Sequence, residues 1–171
     1  MASLIDSLIK DMDKENSLYN ELYELAKVKT TAIVNSDVEK LQAILIDEQA
    51  LISKISVVES DRIKVVDEIC NILHLPSKDV KVEDVVQMLR KRPLEHNRLQ
   101  ESYLALKRTV KGLMQINENN KFLLKESLEM IEFNINIARS AMAAPQTANY
   151  GKTATESMAG LATVASFDAK Q

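Results

Sequence analysis

The sequence predicts an all-α protein: an elongated antiparallel helical hairpin or bundle of three long helices, with coiled-coil packing and a flexible C-terminal tail. Three observations predict it. Apolar residues recur at three- and four-residue spacing through most of the 171 residues, which is the period of one helix face. Only three glycines and three prolines occur, the first glycine being Gly112, so strands would have no tight turns to join them. Aromatic residues make up 4% and Trp is absent, which suits long helices packed by Leu and Ile. Leu, Ile, Val and Phe together exceed the roughly 20% level below which charged chains stay disordered, so a folded core is expected. At this length one domain is the prior expectation.

The first helix, about residues 3–34, carries Leu4, Leu8, Met12, Leu18, Leu22, Leu25 and Ile33 at helical spacing, with Glu15 and Lys29 interrupting the apolar seam. Asn35, Ser36 and Asp37 then break the pattern. Ser36 with Glu39 three residues on reads as a capping box, which starts a new helix and lets the chain reverse. The second helix, about 37–75, carries Leu41, Ile44, Leu45, Leu51, Ile52, Ile55, Val58, Ile63, Val66, Ile69 and Leu73 and is expected to end before Pro76, because proline disfavours helical geometry in the residue before it. It would span about 58 Å. In the connector, Ser77 and Asp79 precede Val82, Val85, Val86 and Leu89, which predict a short amphipathic helix over about 82–91.

Pro93 suits the first turn of the third long helix, about 93–142, because its missing N–H is not needed there. Its seam runs Leu99, Tyr103, Leu106, Val110, Leu113, Asn117, Asn120, Leu124, Leu128, Ile131, Ile135, Ala138 and Met142, alternating steps of four and three as a coiled coil does. At about 75 Å it is the longest element, so its C-terminal half is expected to overhang. The helical domain is therefore placed at 1–142. Residues 143–171, rich in Ala, Thr and Ser, read as a flexible tail with room for a short helix over 154–167.

Several function classes are excluded. A formal net charge of -3 gives no basic footprint for nucleic acid. Arg90, Lys91, Arg92 and Arg98 are the one basic cluster, and no aromatic residue is interleaved with them for base stacking. The first sixteen residues mix Asp6, Lys10, Asp11, Asp13, Lys14 and Glu15 among apolar ones, unlike a secretory signal. No apolar run reaches the roughly 20 residues of a membrane span, so membrane insertion is not expected. Cys70 is alone, which fits a reducing cytoplasm. His74 and His96 lack clustered partners for a metal. Gly151-Lys152-Thr153 lacks the earlier glycine of a phosphate-binding loop, Gln146 standing in its place. Asp47, Glu48, Glu59 and Asp61 sit beside Lys54, Arg62 and Lys64 and read as a solvated face. No catalytic residue, metal or cofactor is predicted, and the protein is expected to work by binding another protein.

The candidate partner-binding residues follow from the overhang. Asn117, Asn119 and Asn120 place amides on and beside the seam, where a buried Asn fixes register or ends the packing locally. On the sharper reading they mark where the bundle ends and a partner begins, and Asn120, Leu124, Leu128, Ile131 and Ile135 then form the expected stripe. In the tail, Leu161, Val164 and Phe167 line one side of the short helix and Tyr150 is a natural anchor. A homodimer of the free protein, or a homo-oligomeric coiled-coil scaffold, would use the same stripe.

The stretch Asp37-x-x-x-Leu41-x-x-Ile44, continued by Glu48-Gln49-x-Leu51-Ile52-x-x-Ile55-x-x-x-Glu59-x-x-Arg62, resembles the central helix of FlgN-type flagellar export chaperones. Asn119 and Asn120 before Leu123 and Leu124, and the pair Tyr150-Gly151 in a small-residue tail, are similar to that family as well. The resemblance covers roughly residues 4–151. It implies a cytoplasmic, non-catalytic chaperone that binds the C-terminal helices of hook-filament junction proteins, also called hook-associated proteins. Such a chaperone keeps them from assembling early and delivers them to the flagellar export gate.

Overall fold

The computed structural model describes residues 2–74 and 80–143. Four α-helices account for nearly all of them: α1 (Ala2–Val34), α2 (Val38–Ile72), α3 (Val82–Met88) and α4 (Pro93–Ala143), with a 3-10 turn at Leu89–Lys91. No strand occurs among the described residues. The chain divides into two compact units, Met1–Asn134 and Ile135–Gln171, and the apolar core lies within the first. The tail positions Tyr150, Leu161, Val164 and Phe167, and the connector positions Ser77 and Asp79, fall outside the described residues.

The reversal between α1 and α2 is built one residue later than the capping box predicts. Ser36 takes a left-handed conformation, φ 54°. Its N–H donates to Ile33 O at 3.0 Å, and that of Asp37 to Ala32 O at 2.9 Å. These two bonds close a Schellman motif with Ser36 in the place that glycine usually takes. Asp37 is then the N-cap, its carboxylate accepting from the Lys40 N–H at 3.0 Å. Ser36 is unavailable as a cap because the turn needs it for the left-handed residue. The same device ends α2 before the predicted Leu75: His74 is left-handed at φ 55°, and its N–H donates to Asn71 O at 3.2 Å. Helix α3 is capped from within, the Asp84 carboxylate accepting from the Lys81 N–H at 2.8 Å.

Helices α1 and α2 run antiparallel, and two ion pairs record the register. Arg62 Nε donates to Glu15 Oε2 at 2.7 Å, and Lys29 Nζ to Glu48 Oε2 at 2.8 Å. The sequence separation falls from 47 to 19 between them, as it must when strands of one hairpin converge on their turn. The charged interruptions of the α1 seam thus meet counter-charges on α2. Arg62 and Glu48 therefore do not belong to the solvated face that the sequence predicted for them; they turn inward because Glu15 and Lys29 need them.

The core is concentrated at the end away from that turn. Ile5, Leu8 and Met12 of α1 pack with Val66, Ile69 and Cys70 of α2, Val82, Val85 and Val86 of α3, Leu89, and Leu99 of α4. The short helix closes this end as a lid of valines. Toward the turn a smaller cluster holds Leu22, Ala26, Ile55 and Leu113. Ile55 and Val66 are buried as their spacing implies, whereas Leu106 is only partly buried, at the margin of the larger cluster.

Two stability predictions follow from these contacts. Ser36→Gly should leave stability unchanged or raise it by up to about 1 kcal/mol, because glycine meets no steric penalty at that φ but frees the unfolded chain. Ser36→Val should lower it by about 1–2 kcal/mol; urea midpoints measure both. The second concerns Glu15, which is buried to 3% exposure. Burial holds its carboxyl above the usual range, against the lowering pull of Arg62. A raised folded value means that the folded state holds the proton more tightly than the unfolded one. Its stabilising contribution is complete below the ordinary carboxylate range and is lost as pH rises through the raised value. Relative to Glu15→Gln, the native protein should therefore gain stability as pH falls from neutrality, and an opposite slope in urea titrations would show that Arg62 outweighs burial.

Candidate functional site

Helix α4 runs parallel to α1, and polar contacts fix it there at constant separation. Arg98 Nη1 donates to Asp6 Oδ1 at 2.8 Å, and Ser102 Oγ donates to Asp13 Oδ1. Farther along, Asn120 Nδ2 donates to Ala26 O at 2.9 Å, and Thr30 Oγ1 donates to Asn120 Oδ1 at 2.6 Å. Separations of 92, 89, 94 and 90 residues mean that neither helix slips against the other. α1 stops at Val34 while α4 continues to Ala143. At that offset Val34 stands level with about residues 124–128 of α4, and beyond them α4 has no neighbour in α1.

Burial follows that geometry. Asn120 is 3% exposed, and no later described residue of α4 is buried. Its amide is fully used inside the bundle, so it roots the stripe rather than forming part of its exposed surface. Leu124, Leu128 and Ile131 are exposed, Leu128 to 54%. In the second unit, Ile135 is exposed as well. The inward row of α4 is Leu99, Ser102, Leu106, Leu113, Ile116, Asn120, Leu123 and Ser127. The predicted seam ran instead through Asn117, Leu124 and Leu128. A strict seven-residue repeat drifts by about 20° per heptad on a straight helix, and over three heptads that drift moves Asn117 out and Ile116 in.

A second set of apolar residues escaped the sequence reading. Phe122, Met130 and Phe133 are 59%, 67% and 63% exposed. At 3.6 residues per turn they lie on the opposite side of α4 from Leu124, Leu128 and Ile131. Lys121, Lys125, Glu129 and Glu132 separate the two sets along one side. The signal was present in the spacing of 122, 130 and 133, but a search for one seam stops at the first stripe it finds. This end of α4 thus offers apolar surface on two sides, with a narrow charged band between. Exposed apolar area of this kind marks an interaction surface.

Among the described residues no group of three or more His, Cys, Asp or Glu is placed to hold a metal ion. His74 is exposed, and His96 is half-buried with its Nδ1 3.2 Å from Asn97 Oδ1. Cys70 is buried in the core, where burial pushes its thiol up and keeps it protonated. No described helix is long and apolar enough to cross a membrane.

A family model described as FlgN protein covers residues 1–157. No curated protein and no solved structure matches the chain.

Asn120→Ala should cost about 1–3 kcal/mol, because the Ala26 carbonyl and the Thr30 hydroxyl lose a buried partner. Asn120→Asp should be at least as costly, since it places a charge in the same site and turns an acceptor toward the carbonyl. Thermal and urea unfolding of both variants measure the loss, and a change within about 0.3 kcal/mol would show that the amide does not hold the register.

Proposed function

Since the chain belongs to the FlgN family of flagellar export chaperones, we propose that it receives the C-terminal helices of hook-filament junction proteins on the exposed end of α4. It keeps them unassembled in the cytoplasm and delivers them to the export gate. The observation that carries this reading is that α4 continues past Asn120 with Leu124, Leu128 and Ile131 uncovered. A contiguous exposed apolar face of this kind supports an interaction with a partner. Terminal helices of proteins that assemble by helix packing are amphipathic and would associate with one another when free. A chaperone helix with an open apolar side covers them by the same packing.

Release at the export gate requires that the grip be moderate. An apolar surface whose side chains Leu124, Leu128 and Ile131 stay largely in solvent supplies that. The tail residues Tyr150, Leu161, Val164 and Phe167 are proposed, on the sequence alone, as a second contact with the client or the gate. A homo-oligomeric scaffold is the competing reading, because a second copy of α4 fits the same stripe.

Replacing Leu128 and Ile131 together with Gln should weaken binding of a junction-protein C-terminal segment at least tenfold, about 1.4 kcal/mol or more. Helix content should stay unchanged, since both side chains are already half in solvent. Calorimetry measures the affinity and circular dichroism the helix content. Unchanged affinity overturns the proposed surface, and a wild-type oligomer that the double variant dissociates favours the scaffold.

A further inference from the structure

Where α4 leaves the α1–α2 hairpin, a crevice of about 290 Å³ opens among the three long helices α1, α2 and α4. Leu22 and Ile33 of α1, both buried, form its floor, and the half-exposed Ile52 of α2 and Leu124 of α4 form facing walls. We propose that this groove is the seat of the client: an amphipathic helix lies between α2 and α4, completes a four-helix arrangement, and places a carboxylate beside Lys121. The proposal deepens the chaperone reading and rests on it.

Three features support this occupant. The apolar walls continue toward and past the α1–α2 turn, through Leu45 on α2, seven residues before Ile52 and on the same side of that helix, and through Leu128 and Ile131 on α4. A row of that length matches successive anchors of a docked helix better than a small molecule, for which the crevice is at the lower limit of volume. The charges are also asymmetric. Lys29 in the crevice is held by Glu48 at 2.8 Å, whereas Lys121 on the α4 wall has no carboxylate within ion-pair distance among the described residues. The groove therefore carries one uncompensated positive charge next to its apolar lining. A helix whose apolar stripe is flanked by Asp or Glu satisfies both, while one flanked by Lys or Arg meets repulsion.

The test uses the full chain and a fluorescently labelled C-terminal segment of a hook-filament junction protein from the same organism. Affinity is measured for the native protein, Ile52→Glu, Lys121→Glu, and Leu94→Glu as a control at an exposed site away from the groove. Ile52→Glu and Lys121→Glu should each weaken binding at least tenfold with melting temperatures unchanged, and the control should bind as the native protein does. A client segment with its acidic residues replaced by lysine should bind Lys121→Glu better than it binds the native protein. Native binding with both groove variants unaffected overturns the groove and leaves the chaperone reading standing. No binding to the native protein overturns that reading and the groove's occupant with it. A native dimer in sedimentation that Ile52→Glu dissociates assigns the groove to a second copy and overturns the client.

Discussion

Asn120 donates to the Ala26 carbonyl and accepts from the Thr30 hydroxyl, and what α4 presents to solvent depends on that register. A helix held only by apolar contacts can rotate or slide by a residue at little cost, whereas a buried amide with both ends paired loses a full desolvation term when it moves. With Asn120 in place, Leu123 and Ser127 turn inward and Leu124, Leu128 and Ile131 turn out. The amide therefore does for α4 what Glu15–Arg62 and Lys29–Glu48 do for the hairpin. Each long helix is aligned by polar contacts, and the apolar contacts supply cohesion.

The distribution of core material adds a functional gradient along the first unit. The large cluster, closed by the valines of α3, lies at the end away from the α1–α2 turn. Toward the turn the cluster is smaller, four residues, with Ala32, Ile33 and Ile44 buried beyond it, and the crevice opens there. Local stability follows local burial. The firm end holds the three helices together, and the thin end, where α4 departs, is the part that a partner helix can enter without displacing a packed core.

The protein's polar seam also bears on specificity. Replacing a buried ion pair by apolar residues is often neutral or stabilising in other proteins, so such pairs are poor evidence of stability. Here they stand on the α1 seam at Glu15 and Lys29, where apolar residues would let the hairpin close in more than one register and extend the sticky surface.

The sequence by itself determined the helices, since a period of three and four residues and the scarcity of glycine and proline leave no other regular structure. It also fixed α3, the start of α4 at Pro93 and the place where burial ends near Asn120, because each has a local chemical cause. Tertiary structure decided the rest. Which of Ser36 and Asp37 caps α2 depended on the left-handed turn that α1 needs to end. Arg62 and Glu48 look like surface charges until the hairpin brings Glu15 and Lys29 against them. Leu124 and Ile116 have similar claims to the seam, and the phase is chosen only when Asn120 finds Ala26 and Thr30 on α1, a residue pairing some ninety positions apart that no local pattern encodes. The crevice beside Ile52 and Lys121 exists for the same reason: it is a gap among three helices, and spacing along one helix cannot record the distance to another.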